Sequence, residues 1–357
     1  MSFACIGNSS TNRKDIRMGP VVNFLLFGIG LAIIIKGSDW FINSVIYIAK
    51  VFKIPYIIIG VTIVSICTSL PETFVSAAAA LKEETDVAFG NAMGSIAINT
   101  GVILAILMIF SRSIVEDHKD IVKNGIFLIS TLVLTLIIGL VYGQIHRFFG
   151  FLLFALFLLY ILKNVYSIRK KKNEERTVNG DDDEYKSQVD VSRYTVIRNI
   201  IFFLIGISMV ILGSNLLVDN GIKIAEILKI PTILIAIIFT SLGTSLPELV
   251  TTISSIRKGV SNLGVGNIIG ANILNIIQVL SISSIIRDIP LAHDSSILFF
   301  QLPLVLAMVS ASVLFCIISK KRFRRWYGFV LFGFYSIFLV VNLFRENTPL
   351  VGALIFG

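Results

Sequence analysis

The amino-acid sequence predicts an all-α polytopic membrane protein with ten transmembrane helices, arranged as two inverted five-helix repeats. Apolar residues make up 55% of the 357 residues and charged residues only 15%, whereas a typical soluble domain carries about 25% charged residues. The apolar residues fall in runs long enough to cross a bilayer, which takes about 20 residues per helix. The second half of the chain also repeats the pattern of the first.

Ten membrane spans are predicted from the apolar runs and the helix breakers between them. The spans are placed at residues 20–49, 55–81, 87–111, 121–142, 147–167, 196–227, 231–257, 263–286, 296–319 and 324–345. The predicted organisation is an N-terminal tail at 1–19, a first repeat at 20–167, a polar cytoplasmic linker at 168–195, a second repeat at 196–345 and a C-terminal tail at 346–357.

The internal duplication is the strongest signal in the sequence. Residues 68–72 and 244–248 both read Thr-Ser-Leu-Pro-Glu and are 176 positions apart. The same shift superimposes Gly90-Asn91 on Gly266-Asn267, and no gap is needed between residues 37 and 104. Self-similarity of this kind indicates repeated structural units. Because each half holds five spans, an odd number, the halves are expected to enter the membrane in opposite directions, as in many secondary transporters.

Basic residues predict the orientation of the chain. Of the 31 Lys and Arg residues, 21 fall on the side that carries the long linker. The positive-inside rule makes that side cytoplasmic, so both termini are expected outside a cell membrane. These basic residues lie in loops between spans, which argues against a nucleic-acid partner. Lys36 lies within the first span, and Asp39, three residues on, is expected to neutralise it.

Two glutamates carry the predicted chemistry. Glu72 and Glu248 each lie in the middle of an apolar span with no Lys or Arg beside them. A carboxylate at that depth costs at least about 2.5–3.5 kcal/mol, so a mobile cation is its expected partner. Pro71 and Pro247 each free a backbone carbonyl four residues back, and such carbonyls are tolerated at membrane depth only where something satisfies them. Carboxylates, carbonyls and hydroxyls are the ligands of hard cations such as Ca²⁺ and Na⁺.

The following span of each half adds amide side chains. Asn91, Ser95 and Asn99 are spaced four residues apart and therefore share one helix face. Their counterparts in the second half are Asn267, Ala271 and Asn275. The glycines near the start of each of these spans favour close approach to a neighbouring helix.

Residues 60–104 and 236–280, with their paired Thr-Ser-Leu-Pro-Glu motifs, resemble the two α-repeats of the Ca²⁺/cation antiporter superfamily, of the Na⁺/Ca²⁺ exchanger type. The resemblance implies a ten-helix inverted fold and ion ligands in both repeats. The implied ligands are Glu72, Thr68, Ser69, Ser95, Asn99 and the Ser65 carbonyl in the first repeat, and Glu248, Thr244, Ser245, Asn275 and the Ser241 carbonyl in the second. The first and sixth spans resemble the family's gating helices.

Three positions depart from the family pattern. Cys67 stands where the family usually has Gly, Asn275 where many members have Asp, and Ala271 lacks a hydroxyl that a Na⁺ site often uses. The two central glutamates would neutralise one Ca²⁺, whereas three Na⁺ would leave one positive charge, so the sequence leaves the exchange stoichiometry open.

The predicted function is exchange of Ca²⁺ for Na⁺ by alternating access at a site near the membrane midplane. The alternative is a Ca²⁺/H⁺ antiporter, in which the two acids carry the returning protons; the Gly-Asn-x-x-Glu motif of proton-coupled relatives is replaced here by Thr-Ser-Leu-Pro-Glu. A cation channel would more commonly use an oligomeric ring of identical residues. A hydrolase would need a nucleophile and base that the sequence does not supply. The expected protein is not an enzyme, has no covalent cofactor and does not require an oligomer.

Overall fold

A computed structural model describes residues 20–52, 54–111, 118–178, 192–227, 242–292, 297–319 and 323–347. The described chain is almost entirely helical. Its helices are α1 (Pro20–Phe52), α2 (Tyr56–Thr68), α3 (Leu70–Leu81), α4 (Thr85–Phe110), α5 (His118–Tyr142), α6 (Arg147–Val178), α7 (Arg193–Ile227), α8 (Leu246–Arg257), α9 (Ser261–Ile286), α10 (Ile297–Ile318) and α11 (Arg325–Asn347). Two short strands, β1 (Gln144–Ile145) and β2 (Ile289–Pro290), pair antiparallel.

Eight of the described helices are long and apolar enough to cross a bilayer. Helices α2 and α3 make a ninth span if they count as one, because they follow each other across a bend of 44°. The predicted span at 231–257 is described only from residue 242 onward. The described residues therefore bear out a polytopic helical membrane protein with eight or nine spans, and the count of ten is not confirmed.

The helix of the fifth predicted span is longer than expected. Helix α6 continues past the expected end of the fifth span at 167 and reaches Val178. The segment after 167 is rich in Arg, Lys and Glu, which are good helix formers and need no apolar surroundings to extend a helix into water. The tails at 1–19 and 348–357 and the linker residues 179–191 lie outside the described residues.

Helices α1 and α7, the first helix of each half, pack against each other in opposite directions. Ile34 lies against Gly213, and the rings of Phe41 and Phe203 are 5.1 Å apart, so residue numbers rise along one helix as they fall along the other. The two backbones approach closely at Gly206, where an added Cβ would lie 2.6 Å from the backbone nitrogen of Phe41. Opposite directions for equivalent helices are what inverted repeats require.

Helices α4 and α9 form the buried centre of the bundle. They are the most buried of the spans, whereas α1, α6, α7 and α11 expose most of their surface. Gly270 of α9 lies against α2, where an added Cβ would come within 2.6 Å of the Ser65 hydroxyl. The expected close helix approach is confirmed at Gly266 and Gly270, but it is wrong at Gly90, where an added Cβ meets nothing within 4 Å. The end of α2 therefore lies beside the most buried helices of the molecule.

The expected pairing of Lys36 with Asp39 is wrong. Asp39 instead forms an ion pair of 3.1 Å with Lys258, just after α8. It also accepts a hydrogen bond of 3.4 Å from the hydroxyl of Ser254, near the end of α8. Lys36 lies over the ring of Trp40, 5.5 Å from its centroid. Residues three apart on a helix can pair, but here Lys36 lies on Trp40 and helix packing brings Lys258 to Asp39.

The ends of α3 and α9 meet at one face of the bundle. Glu83, just after α3, forms an ion pair of 3.1 Å with Arg287, just after α9. Next to it, Asp288 accepts a hydrogen bond of 2.8 Å from the backbone N–H of Arg147, at the start of α6. We call this the Glu83–Arg287 face. By the distribution of basic residues it is expected to be extracytoplasmic.

We expect Gly206→Val to destabilise the protein by about 1–3 kcal/mol, because the new side chain would be forced into the backbone of α1. Thermal unfolding in detergent measures the effect. Gly28→Val, at a position of α1 where an added Cβ meets nothing within 4 Å, is the matched control and should leave the transition unchanged. Equal stability of the two variants would contradict the close packing of α1 on α7.

Candidate functional site

Two helix breaks in the interior create the site. Ser69 separates α2 from α3 with φ −87° and ψ 5°, and Ser245 precedes α8 with φ −88° and ψ 5°. Pro71 and Pro247 follow within the first two positions of the new helices, where a missing N–H leaves no internal hydrogen bond unmade. The duplicated motif therefore produces the same backbone geometry twice.

Each glutamate lies in the first turn of a helix that begins inside the bundle. Glu72 belongs to the first turn of α3 and Glu248 to that of α8. The N-terminal end of a helix carries a partial positive charge that favours a nearby carboxylate. This offsets part of the free energy that burial of the two carboxylates requires.

The two glutamates are fully buried and reach across to the opposite repeat. Ser245 donates its hydroxyl to Glu72 Oε1 at 3.5 Å, and Ser69 donates to Glu248 Oε1 at the same distance. Both glutamates have 0% exposed surface. This reciprocal contact brings the four central residues that the sequence predicted into one site and relates the two halves by a pseudo-two-fold axis.

A second pair of reciprocal contacts surrounds the first. Thr68 donates to Asn267 Oδ1 at 3.1 Å, and Thr244 donates to Asn91 Oδ1 at 3.2 Å. Ser95 also lies 3.3 Å from the Thr244 hydroxyl. The symmetry stops there, because the counterpart of Ser95 is Ala271, which has no hydroxyl.

Asn99 and Asn275 each begin a π-helical turn at the centre of their helix, Asn99–Ile103 in α4 and Asn275–Leu280 in α9. Both residues are fully buried, and neither amide atom of either side chain has a hydrogen-bond partner. Single π turns within α-helices occur frequently at functional sites. Buried polar atoms without partners are uncommon and point to a ligand or ordered water.

Of the two backbone carbonyls that the resemblance implies as ligands, only that of Ser65 lies among the described residues. The Ser65 carbonyl accepts the Ser69 N–H at 2.9 Å, so a protein donor occupies it in this structure, and the Thr68 hydroxyl lies 3.4 Å from it. Its role as an ion ligand stays a prediction. Ser241 lies outside the described residues.

Asn91 and Asn267 are further members of the site that the predicted ligand set did not include. Besides accepting from the two threonines, Asn91 donates to the Ser76 hydroxyl at 2.9 Å and Asn267 donates to Thr251 at 3.0 Å. Each asparagine therefore holds a threonine of the other repeat in place. The signal was present in the sequence, since Asn91 and Asn267 lie on the same helix face as Asn99 and Asn275, eight residues before them.

The donor set fits a hard cation. One oxygen of each carboxylate, Oε2, has no hydrogen-bond partner, and the same is true of the Oδ1 atoms of Asn99 and Asn275. The ion pairs formed by the described residues do not involve either glutamate. Two buried carboxylates without a cationic side chain, together with hydroxyl and amide oxygens, are the ligands that Ca²⁺ and Na⁺ prefer.

Comparisons with known proteins agree with this architecture. The chain is 31% identical to the sodium/calcium exchanger MaX1 of Methanosarcina acetivorans over 90% of this chain and 98% of that one. It is 32% identical to the inner membrane protein YrbG of Escherichia coli, covering 88% and 94% of the two chains. A solved structure of the sodium-calcium exchanger NCX_Mj, soaked with Na⁺ and Sr²⁺, superimposes with a TM-score of 0.75 at 28% identity and covers 90% of this chain and 99% of that chain.

The family model described as sodium/calcium exchanger protein matches twice, once in each half, at residues 22–166 and 198–344. The two matched segments together span most of the chain. A transport protein rather than an enzyme is therefore indicated, and its family's substrates are Na⁺ and Ca²⁺. The chain belongs to the sodium/calcium exchanger protein family.

Proposed function

We propose that this protein is a secondary active antiporter that exchanges Ca²⁺ for Na⁺ across the cell membrane. The observation that carries the proposal is the meeting of Glu72 and Glu248, one from each repeat, in a fully buried site without a cationic side chain among the described residues. The proposed ligands are their carboxylates with the oxygens of Thr68, Ser69, Ser95 and Asn99, and of Thr244, Ser245 and Asn275. The Ser65 and Ser241 carbonyls complete the proposed set.

Competition for one set of ligands explains antiport. The two glutamates supply two negative charges, which one Ca²⁺ or two Na⁺ neutralise. Since both ions use the same carboxylates, the site does not hold a full complement of both at once. An ion arriving from one side therefore displaces the other, and the empty site, with two uncompensated buried charges, is the least favourable state. This disfavours leak without exchange.

The proposed moving parts are α1 and α7. They pack on each other along a glycine-rich seam and expose most of their remaining surface to lipid. Their polar contacts with α8 include the Ser38 hydroxyl donating to the Val250 carbonyl at 3.3 Å, and Asp39 accepting from Ser254 and pairing with Lys258. We propose that the pair slides across the outside of the site and opens one face at a time, as alternating access requires.

The proposed membrane arrangement is ten spans in two inverted five-helix repeats, with both termini outside and the linker in the cytoplasm. Two features support it. The family model matches each half separately, and the first helices of the two halves run in opposite directions. The protein needs no second copy to complete the site, since each carboxylate comes from the same chain.

We expect ⁴⁵Ca²⁺ uptake into proteoliposomes loaded with Na⁺ and diluted into Na⁺-free buffer. Parallel vesicles with K⁺, Li⁺ or a pH gradient as the sole driving ion are the controls, and their uptake should stay near that of empty liposomes. Uptake driven by the pH gradient but not by Na⁺ would establish the alternative Ca²⁺/H⁺ antiporter. Flux that needs no counter-ion and does not saturate would indicate a channel.

Glu72→Gln and Glu248→Gln should each abolish exchange, because a neutral amide removes half of the site's negative charge and cannot offset a divalent ion. The loss should be at least about 100-fold, because loss of a residue that only supports a metal ligand already costs about 10–100-fold. Size-exclusion profiles in detergent would show that the variants are folded. Glu84→Gln, at an exposed position between α3 and α4, is the control and should exchange like the parent chain. Substantial exchange by either site variant would refute the assigned role.

Asn275→Asp adds a third carboxylate next to the proposed ions. We expect it to change the dependence on Na⁺ or K⁺ more than the half-saturating Ca²⁺ concentration, because an extra negative charge favours an additional monovalent cation. Exchange rates measured against Na⁺ concentration, with and without K⁺, report the change. An unaltered ion dependence would argue against placing Asn275 at the site.

A further inference from the structure

A buried hydrogen-bond relay links the two repeats on one side of the ion site. Gln278 Nε2 donates to the Thr73 hydroxyl at 3.2 Å, and that hydroxyl donates to the Ser69 carbonyl at 2.9 Å. The Ser69 hydroxyl in turn donates to Glu248 at 3.5 Å. Gln278 and Thr73 are 6% and 9% exposed. We call Gln278, Thr73 and Ser69 the relay.

The relay joins the two irregular backbone features of the site. Gln278 belongs to the π turn Asn275–Leu280, which begins at one proposed ligand. Ser69 is the break between α2 and α3, and Thr73 follows Glu72 in α3. With the Thr73 N–H at 3.2 Å, the Ser69 carbonyl accepts two hydrogen bonds. The side-chain bond therefore adds a second restraint on the break.

The second half of the duplication lacks this relay. The counterpart of Thr73 is Leu249 and that of Gln278 is Val102, and both pack against the main apolar core. The Ser245 carbonyl accepts the Leu249 N–H at 3.1 Å, and a leucine has no hydroxyl to add a second bond. Two breaks with nearly identical dihedral angles are therefore held differently.

An apolar pair fills the equivalent space in the other half, so packing alone does not require the polar one. The polar pair is also unfavourable in itself, because Gln278 Oε1 is buried without a hydrogen-bond partner. A buried polar atom without a partner costs free energy. A role at the site explains why the polar pair Gln278 and Thr73 is present despite this free-energy cost.

The relay lies between the carboxylates and the Glu83–Arg287 face. Thr73 follows Glu72 in the direction of Glu83, and Gln278 follows Asn275 in the direction of Arg287, and these two ends are joined by the ion pair. Leu249 and Val102 lie on the other side of the carboxylates. Leu249 is toward the end of α8 at Arg257, and Val102 is toward the end of α4 at Phe110. The two faces of the site therefore differ in the side-chain hydrogen bonds next to the helix breaks.

We propose that Gln278 and Thr73 are positioning residues that hold the helix break at Ser69, on the Glu83–Arg287 face only. The relay keeps the Ser69 hydroxyl and the neighbouring Thr68 in place for an ion arriving from that face. The opposite break at Ser245, without such a restraint, adjusts more freely. The ion affinity of the site is consequently higher from the Glu83–Arg287 face. This inference rests on the proposed exchange function.

Thr73→Val removes the hydroxyl at nearly constant volume, and Gln278→Met removes the amide. Each should raise the half-saturating Ca²⁺ concentration about three- to tenfold, the worth of one buried hydrogen bond. The maximal rate should stay within about twofold, because the ligands themselves remain. The increase should be larger when Ca²⁺ is presented from the Glu83–Arg287 face, as measured in right-side-out and inside-out vesicles. Thr73→Ser keeps the hydroxyl and should restore the parent values.

Thr135→Val is the matched control, because Thr135 is also fully buried and donates to a carbonyl four residues back, in α5, at 2.9 Å. It should leave Ca²⁺ affinity unchanged. An equal shift from both faces, an equal shift in the control, or failure of Thr73→Ser to restore affinity would overturn the proposal.

Amide hydrogen exchange followed by mass spectrometry separates this inference from the proposed function, because it needs no transport. In the parent chain, the peptide containing Ser69 and Thr73 should exchange more slowly than the equivalent peptide containing Ser245 and Leu249. Thr73→Val and Gln278→Met should speed exchange in the first peptide and leave the second unchanged. Similar exchange of the two peptides in the parent chain would overturn the relay even if Na⁺-driven Ca²⁺ uptake is observed.

Discussion

The burial of two carboxylates at the centre of a membrane bundle, without a lysine, arginine or histidine among the described residues to pair with them, is the constraint around which the structure is arranged. Glu72 and Glu248 have no exposed surface, and an uncompensated pair of like charges at that depth is strongly unfavourable. Helix N-termini, hydroxyls and amides around them reduce that free energy but do not cancel it. In the proposed function, a bound cation supplies the missing positive charge, so ion binding would also stabilise the fold.

Irregular backbone is the means by which an apolar helical bundle presents oxygen atoms. A continuous α-helix uses its own N–H and C=O groups internally, so it offers a bound ion only side chains. The breaks at Ser69 and Ser245 and the π turns at Asn99 and Asn275 all lie at the site. The regular, tightly packed segments of α4 and α9 on either side keep these irregularities in register.

The duplication accounts for the reciprocal contacts of the site, and the departures from it make the two halves chemically different. Reciprocal bonds between serine and glutamate and between threonine and asparagine repeat across the pseudo-two-fold axis. Ala271 in place of a serine, and Leu249 and Val102 in place of Thr73 and Gln278, break the equivalence. A perfectly symmetric site would treat both sides of the membrane alike, and the proposed difference in ion affinity between the two faces rests on these substitutions.

Much of this protein follows from local pattern. Apolar runs of about 20 residues define membrane helices because the bilayer sets their length. The duplicated Thr-Ser-Leu-Pro-Glu places a break and a carboxylate at equivalent depths because proline acts on its own helix. The buried positions of Glu72, Glu248, Asn99 and Asn275 could therefore be predicted without coordinates. Contacts between distant segments could not. Asp39 found Lys258 rather than Lys36, and the Gln278–Thr73 bond joins residues 205 positions apart, since partner choice depends on how whole helices cross, a property that no single helix encodes.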